Sequence, residues 1–130
     1  MSVFEVLNRG LGLFILRLSL GFMMLILHGV PKINRYPGDG FPDPLGLGSQ
    51  LSWGLAVFAE VGCSLFLILG LWTRYTLVPL IVTMFVAVFV VHSGDPWSKK
   101  ELGLIYLMGY ISLFVAGAGK YSLDNKLKGR

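Results

Sequence analysis

Residues 51–92 read LSWGLAVFAEVGCSLFLILGLWTRYTLVPLIVTMFVAVFVVH, two long apolar runs with a single basic residue between them. A helix needs roughly 17–25 residues to cross the hydrocarbon of a bilayer, and segments 51–72 and 75–92 both reach that length. The intervening Thr73-Arg74 can do little but reverse the chain, so the two runs form an antiparallel pair. The β-branched stretch 86–91 would suit a strand in water. In lipid an open strand leaves its backbone groups unpaired, which makes helix the expected form.

Two further runs lie outward of this pair. Residues 11–30 (LGLFILRLSLGFMMLILHGV) stop at Pro31-Lys32, and residues 102–118 (LGLIYLMGYISLFVAGA) stop at Gly119-Lys120. The four runs predict an all-α polytopic membrane protein, an antiparallel bundle of four transmembrane helices in a single domain, 1–130. A Pro/Gly-rich loop at 31–50 is long enough to lie over the bundle mouth, and a polar tail follows at 119–130. The chain is 55% hydrophobic and 14% charged, against about 45–50% and about 25% in soluble domains. Soluble helices would need polar faces, which these runs lack.

The charge of +4 is not a nucleic-acid signal, because the basic residues flank the apolar runs instead of interleaving with aromatics. Arg9 before the first run resembles the start of a signal peptide. The run is too long for that, contains Arg17 and lacks a small-x-small cleavage site, so it reads as a retained span. Cys63 is the single cysteine, which excludes an internal disulfide, a CxxC pair and a thiolate metal site. Lys and Arg also set the orientation. Arg9, Arg74, Lys120, Lys126, Lys128 and Arg130 fall on the side of the termini, and Lys32, Arg35, Lys99 and Lys100 on the other. Six against four places both termini in the cytoplasm of a prokaryotic cell, in a multi-pass inner-membrane protein.

Two charges sit inside apolar runs. A charge at bilayer depth costs at least about 2.5–3.5 kcal/mol, so each needs a partner, water or a task. Glu60 lies about 14 Å in from the outer side and Arg17 about 9 Å in from the inner side, at the helical rise of about 1.5 Å per residue. That geometry predicts an Arg17–Glu60 pair between helices one and two. The pair would lock the helices in register, and Glu60 is the candidate catalytic or proton-carrying group.

Periodicity agrees with an interior position. Ser52, Ala56, Ala59, Glu60, Cys63 and Ser64 form one stripe of small or polar residues on helix two. Small residues let membrane helices approach closely, so the stripe should face the bundle. Arg17, Gly21, Met24, His28 and Lys32 form a matching stripe on helix one. At the outer mouth His28, Lys32, His92, Asp95, Glu101 and Tyr106 reach similar depth and form a polar cluster. It could relay protons. Its spacing has no His or Cys pair at i, i+4, so no metal is expected. Tyr106, Gly109, Tyr110, Leu113 and Gly117 share a stripe on helix four, where aromatics more often pack than bind cofactors.

The motifs taken together resemble the DoxX family of small prokaryotic membrane proteins. The similarity is carried by Arg17, Gly21 and His28-Gly29 through Lys32 on helix one, and by Ala59-Glu60-Val-Gly62. It continues through Gly70-Leu-Trp-Thr73-Arg74 and the Glu101 to Tyr106 entry of helix four, and closes with Gly117-Ala-Gly119-Lys-Tyr121-Ser122-Leu123-Asp124. It covers roughly residues 17–124. The long Pro/Gly loop departs from the family pattern. The resemblance implies a four-helix membrane bundle, a role as a membrane subunit of a quinone-linked or thiol-redox assembly, and a quinone as candidate cofactor. The residues themselves specify no cofactor, and the lone Cys63 argues against direct thiol exchange. The alternatives are an accessory subunit packed on a larger membrane complex and a small-solute or proton transporter using Glu60. Lipid and either partner subunits or further copies of the chain are the expected partners. A transporter usually shows a repeat or a broken helix. Pro79, near the start of helix three, is the single candidate break.

Overall fold

A computed structural model describes residues 2–34 and 41–128, without the side chains of residues 6 and 7. Arg35, Pro37 and Asp39 of the loop and Arg130 of the tail lie outside the described residues. Four long helices, α1 Val3–Asn34, α2 Ser49–Leu69, α3 Thr73–Val91 and α4 Trp97–Ala116, precede a short α5, Leu123–Leu127. No strand occurs among the described residues. The helices α1, α2 and α3 are long and apolar enough to cross a membrane. Helix α4 has twenty residues but carries Lys99, Lys100 and Glu101 in its first turns.

The helix ends differ from the expected ones for identifiable reasons. Helix α1 begins at Val3 instead of residue 11, because Ser2 and Glu5 form a capping box. The Ser2 hydroxyl accepts the Glu5 N–H at 3.2 Å, and the Glu5 carboxylate accepts the Ser2 N–H at 2.8 Å. Pro31 does not end α1. Leu25–Gly29 is a π-helical turn in which the Val30 N–H reaches back to the Leu25 carbonyl. That wider turn makes room for the ring, which in a regular helix clashes with the carbonyl four residues earlier. Two more such turns are Phe58–Cys63 in the middle of α2 and Ala87–Val91 at the end of α3.

Helix α2 ends at Leu69 instead of Trp72. Gly70 adopts φ +68°, its N–H bonds to the Leu67 carbonyl and the Leu71 N–H to that of Phe66, the pairing of a Schellman cap. The hairpin turn is therefore 70–72, and Thr73 opens α3. Buried Leu20, Met24, Leu67, Leu77, Leu80, Tyr110 and Leu113 form the core, drawn from all four long helices. The small-residue stripe of α2 faces it: Ala59, Glu60, Cys63 and Ser64 are buried, while Leu55, Phe58, Leu65, Phe66 and Leu69 are exposed. Outward-facing apolar side chains are what a lipid-bathed helix presents.

Both described chain ends meet at one end of the bundle. Tyr121 packs edge-on against Phe14 with ring centroids 5.9 Å apart. The Asp124 carboxylate accepts the N–H groups of Trp72 at 2.7 Å and Thr73 at 2.9 Å, capping the start of α3. Partial burial alone would raise the Asp124 pKa, and the bonds from Thr73 and Trp72 outweigh it, leaving the group below its ordinary 3.8. A lowered folded-state pKa adds stability that is complete above the unfolded value and lost as pH falls through the folded one. Melting in detergent at a series of pH values should show wild-type stability falling below pH 3.8. Asp124→Ala should flatten that fall and cost about 1 kcal/mol at neutral pH, the usual worth of a cap. An unchanged acid profile in the variant would count against this role.

Candidate functional site

The half of the bundle away from α5, its outer half here, holds a cavity of about 440 Å³. Its lining includes Met24, His28 and Lys32 from α1, Ser52, Leu55, Ala56 and Glu60 from α2, Val82, Thr83, Val86 and Ala87 from α3, and His92 just past its end. Lys99, Lys100, Gly103 and Tyr106 of α4 close the far side, and Phe41, Pro42, Leu45 and Leu47 of the loop cover the end. All three π-helical turns contribute to these walls, through His28, Glu60, and Ala87, Val88 and Val91. Such turns often mark functional sites, because they redirect side chains that a regular helix would hold elsewhere.

The charge pair at the base of the cavity is Lys32–Glu60. The Lys32 ammonium donates to Glu60 Oε1 at 2.7 Å, with the glutamate side chain 2% exposed and the lysine 29%. The expected Arg17–Glu60 pair does not form. Because α1 continues to Asn34, Lys32 stays helical and sits within reach of Glu60 from the outer side. Arg17 instead turns toward the inner end. Its guanidinium donates to the carbonyls of Leu67 at 3.0 Å and Ile68 at 2.7 Å, and to that of Tyr121. The first two lie in the last turn of α2, where the dipole favours a cation, and the Leu67 carbonyl also accepts the Gly70 N–H. Seven residues, about 10 Å of helix, separate Glu60 from Leu67. Arg17 is a helix cap two turns away from the cavity.

Arg74 does the same for α4, donating to the carbonyls of Phe114 at 2.9 Å and Val115 at 3.4 Å. Neither cap was legible from spacing alone, although Gly-x-x-Thr-Arg after α2 marks where one ends.

The mouth residues divide. His28 and Tyr106 meet edge to face across the cavity with centroids 5.5 Å apart, and Tyr106 stacks on Tyr110 at 6.0 Å. The Tyr110 hydroxyl is buried and has no hydrogen-bond partner among the described residues. His92 lines the rim and shares a 2.8 Å contact with Asp95, which holds that carboxyl below its ordinary range. Glu101 is not part of the cluster. Helix α4 starts at Trp97 instead of residue 102, which places Glu101 on the outer face with Trp97, Ile105 and Met108. Lys100 faces inward in its place, donating to the Ser93 carbonyl at 3.2 Å and lying 4.6 Å from the centre of the Trp97 ring. Among the described residues no three His, Cys, Asp or Glu gather as a metal site would require.

The loop over the mouth is ordered by Asp43. Its carboxylate accepts the Ser52 hydroxyl and the N–H groups of Leu47 and Gly48 at 2.8–2.9 Å. The Ser52 and Gly48 bonds lead in holding its pKa below the ordinary value. Trp53 ties the same region to α1 by donating to the Lys32 carbonyl at 2.8 Å. Close helix approach does the rest: a Cβ on Gly29 would lie 2.8 Å from Val61 Cγ2 and 2.9 Å from the Glu60 carbonyl oxygen. Inward of Glu60 the space is filled, with Leu67, Leu77, Leu80, Tyr110 and Leu113 fully buried. The cavity is therefore closed at its base. It can receive a ring-sized, largely apolar molecule with a few polar atoms, and offer it His28, Tyr106 and the Lys32–Glu60 pair.

The sequence profile of the DoxX family matches residues 12–93, a stretch running from α1 through the hairpin of α2 and α3. An uncharacterized protein of Haemophilus influenzae is 30% identical over 94% of this chain and 87% of its own length. A second uncharacterized protein of the same organism is 33% identical, covering 79% of this chain and 81% of its own. No solved structure matches the chain.

Proposed function

The chain belongs to the DoxX family, and on that premise we propose that it is a membrane subunit of a quinone-linked redox assembly, with the outer cavity as its quinone site. The observation that carries this reading is the cavity of about 440 Å³, closed and polar at its base and apolar on its flanks. Its residues fit a quinone head group. His28 and Tyr106 carry groups able to hydrogen-bond a ring oxygen and stand side by side, with ring centroids 5.5 Å apart. A bound quinone supplies a two-electron, two-proton acceptor, with the electrons coming from a donor on a partner subunit. Lys32 bridges the buried Glu60 to the open side, which gives Glu60 a route for exchanging protons with the outside. A filled core inward of Glu60 favours a binding site over a transport path.

The test uses the protein purified with and without its native partners. Quinone extracted after gentle solubilisation, and titration of added quinone, should show binding by the chain alone. Turnover should need the partners. Glu60→Gln, assayed well below its lowered melting temperature, should abolish partner-dependent turnover. Robust quinone reduction by the isolated chain would overturn the subunit reading, and full activity in Glu60→Gln would remove Glu60 from the mechanism.

In the same reading all four long helices cross the prokaryotic inner membrane, α4 included, and both termini are cytoplasmic. Six basic residues against four support this, as does the meeting of Tyr121 with Phe14 at one end of the bundle. A reporter fused after Arg130 should be protected from external reagents and one within 37–44 exposed. The reverse pattern would invert the orientation.

A further inference from the structure

We propose that α2 and α3 frame a lateral opening in which the hydrocarbon tail of the quinone lies, so that the molecule enters from the bilayer and not from the aqueous mouth. This rests on the quinone reading above. The two helices leave the short turn at 70–72 together. The inner part of α2, Phe58–Leu69, packs on α3, whereas its outer part, Ser49–Val57, packs on the last turns of α1. The pair thus opens outward like a fork, and the cavity occupies the space between the tines. Leu55 on α2 and Val82 on α3 both line the cavity and are about half exposed, at 49% and 53%. A side chain that borders a cavity and is also open to the surroundings marks an opening.

The other flank is closed. Helix α4 packs along α3, including its outer π-helical turn. The end is covered by Phe41 and Leu47 of the Asp43-ordered loop, and the rim beyond carries His92 and Lys99. A hydrocarbon chain drawn past those groups would displace their water with no compensating bond. Between Leu55 and Val82 it meets apolar surface continuous with lipid. The hydroxyl of Thr83, the polar side chain beside Val82, is already satisfied by the Pro79 carbonyl at 2.7 Å. The head group would then sit at His28 and Tyr106 with the tail leaving through the fork.

Paired titrations with a long-tailed quinone and a tail-less, water-soluble analogue test this in detergent or nanodiscs. Wild type should bind both, the tailed form more tightly. Leu55→Trp combined with Val82→Trp should weaken the tailed form at least about tenfold and leave the analogue within about twofold. Val115→Trp, at a position 74% exposed on α4, controls for adding tryptophan to the lipid face and should change neither. Equal loss of both ligands, or no loss of either, in the double variant overturns the lateral opening while leaving the quinone site standing. A wild-type protein that holds neither ligand overturns the quinone reading and the opening with it.

Discussion

Replacing Arg17 by leucine is expected to remove most of the folded protein. The Arg17 side chain is 1% exposed, and its guanidinium serves three carbonyls from two distant segments. Leucine fills part of the volume but leaves the Ile68 and Tyr121 carbonyls without this donor, while that of Leu67 keeps the Gly70 N–H. A buried acceptor stripped of its partner costs about 1–3 kcal/mol, so two of them take a large share of the about 5–15 kcal/mol that holds a whole domain together. Arg17→Lys should fall between the two, since one ammonium cannot span the fork geometry of a guanidinium. Circular-dichroism melts and the monodisperse yield from membranes read the effect. A leucine variant melting within a degree or two of wild type would mean those carbonyls are satisfied in another way. Gly70 depends on the same feature. A Cβ there would lie 2.5 Å from Arg17 Nη1, at a backbone φ of +68° that other residues rarely adopt.

The second large effect belongs to Lys32 and Glu60. Truncating one member of a buried ion pair typically costs about 3–5 kcal/mol, because the survivor is left charged and unpartnered, whereas removing both costs much less. Glu60→Gln should sit near the top of its range, as the glutamate is 2% exposed. Lys32→Met should cost less, since the partly exposed lysine retains some solvent. The double variant should recover a substantial part of the summed loss. Arg17→Lys combined with Glu60→Gln should be additive, because those two side chains share no contact. Strong coupling in the second cycle and none in the first would restore the Arg17–Glu60 pairing that sequence depth alone suggested.

That contrast shows what could be read from the residues and what could not. The interior faces of α1 and α2 followed from periodicity, because lipid rewards outward Leu and Phe and buries Glu60, Cys63 and Ser64 on the facing side. Which charge met which did not follow, because depth along an axis says nothing about the direction of a long side chain. Arg17 had a nearer set of acceptors in the open carbonyls of α2, and such acceptors are invisible in a sequence. The end of α1 was misplaced at both termini. One signal, the Ser2/Glu5 box, was there to be read. The other was not: a π-helical turn at Leu25–Gly29 has no compositional mark, yet it carries α1 past Pro31 and delivers Lys32 to the site. Glu101 was misassigned for a similar reason, since the helix began five residues early on Trp97 and turned that side chain outward.

The bond from Arg17 to the Tyr121 carbonyl spans 104 residues of chain, and this sets an order of events during synthesis. At about 5–20 residues per second, Arg17 emerges seconds before its last acceptor exists. Its first two acceptors, 50 and 51 residues later, arrive with the end of α2. Until then the nascent first helix carries an unanswered charge worth at least about 2.5–3.5 kcal/mol against entry into lipid. Helix α1 carries that cost until the end of α2 supplies its acceptors. The inner end of the bundle is fastened last, when the segment carrying Tyr121 and Asp124 folds back beneath helices made long before.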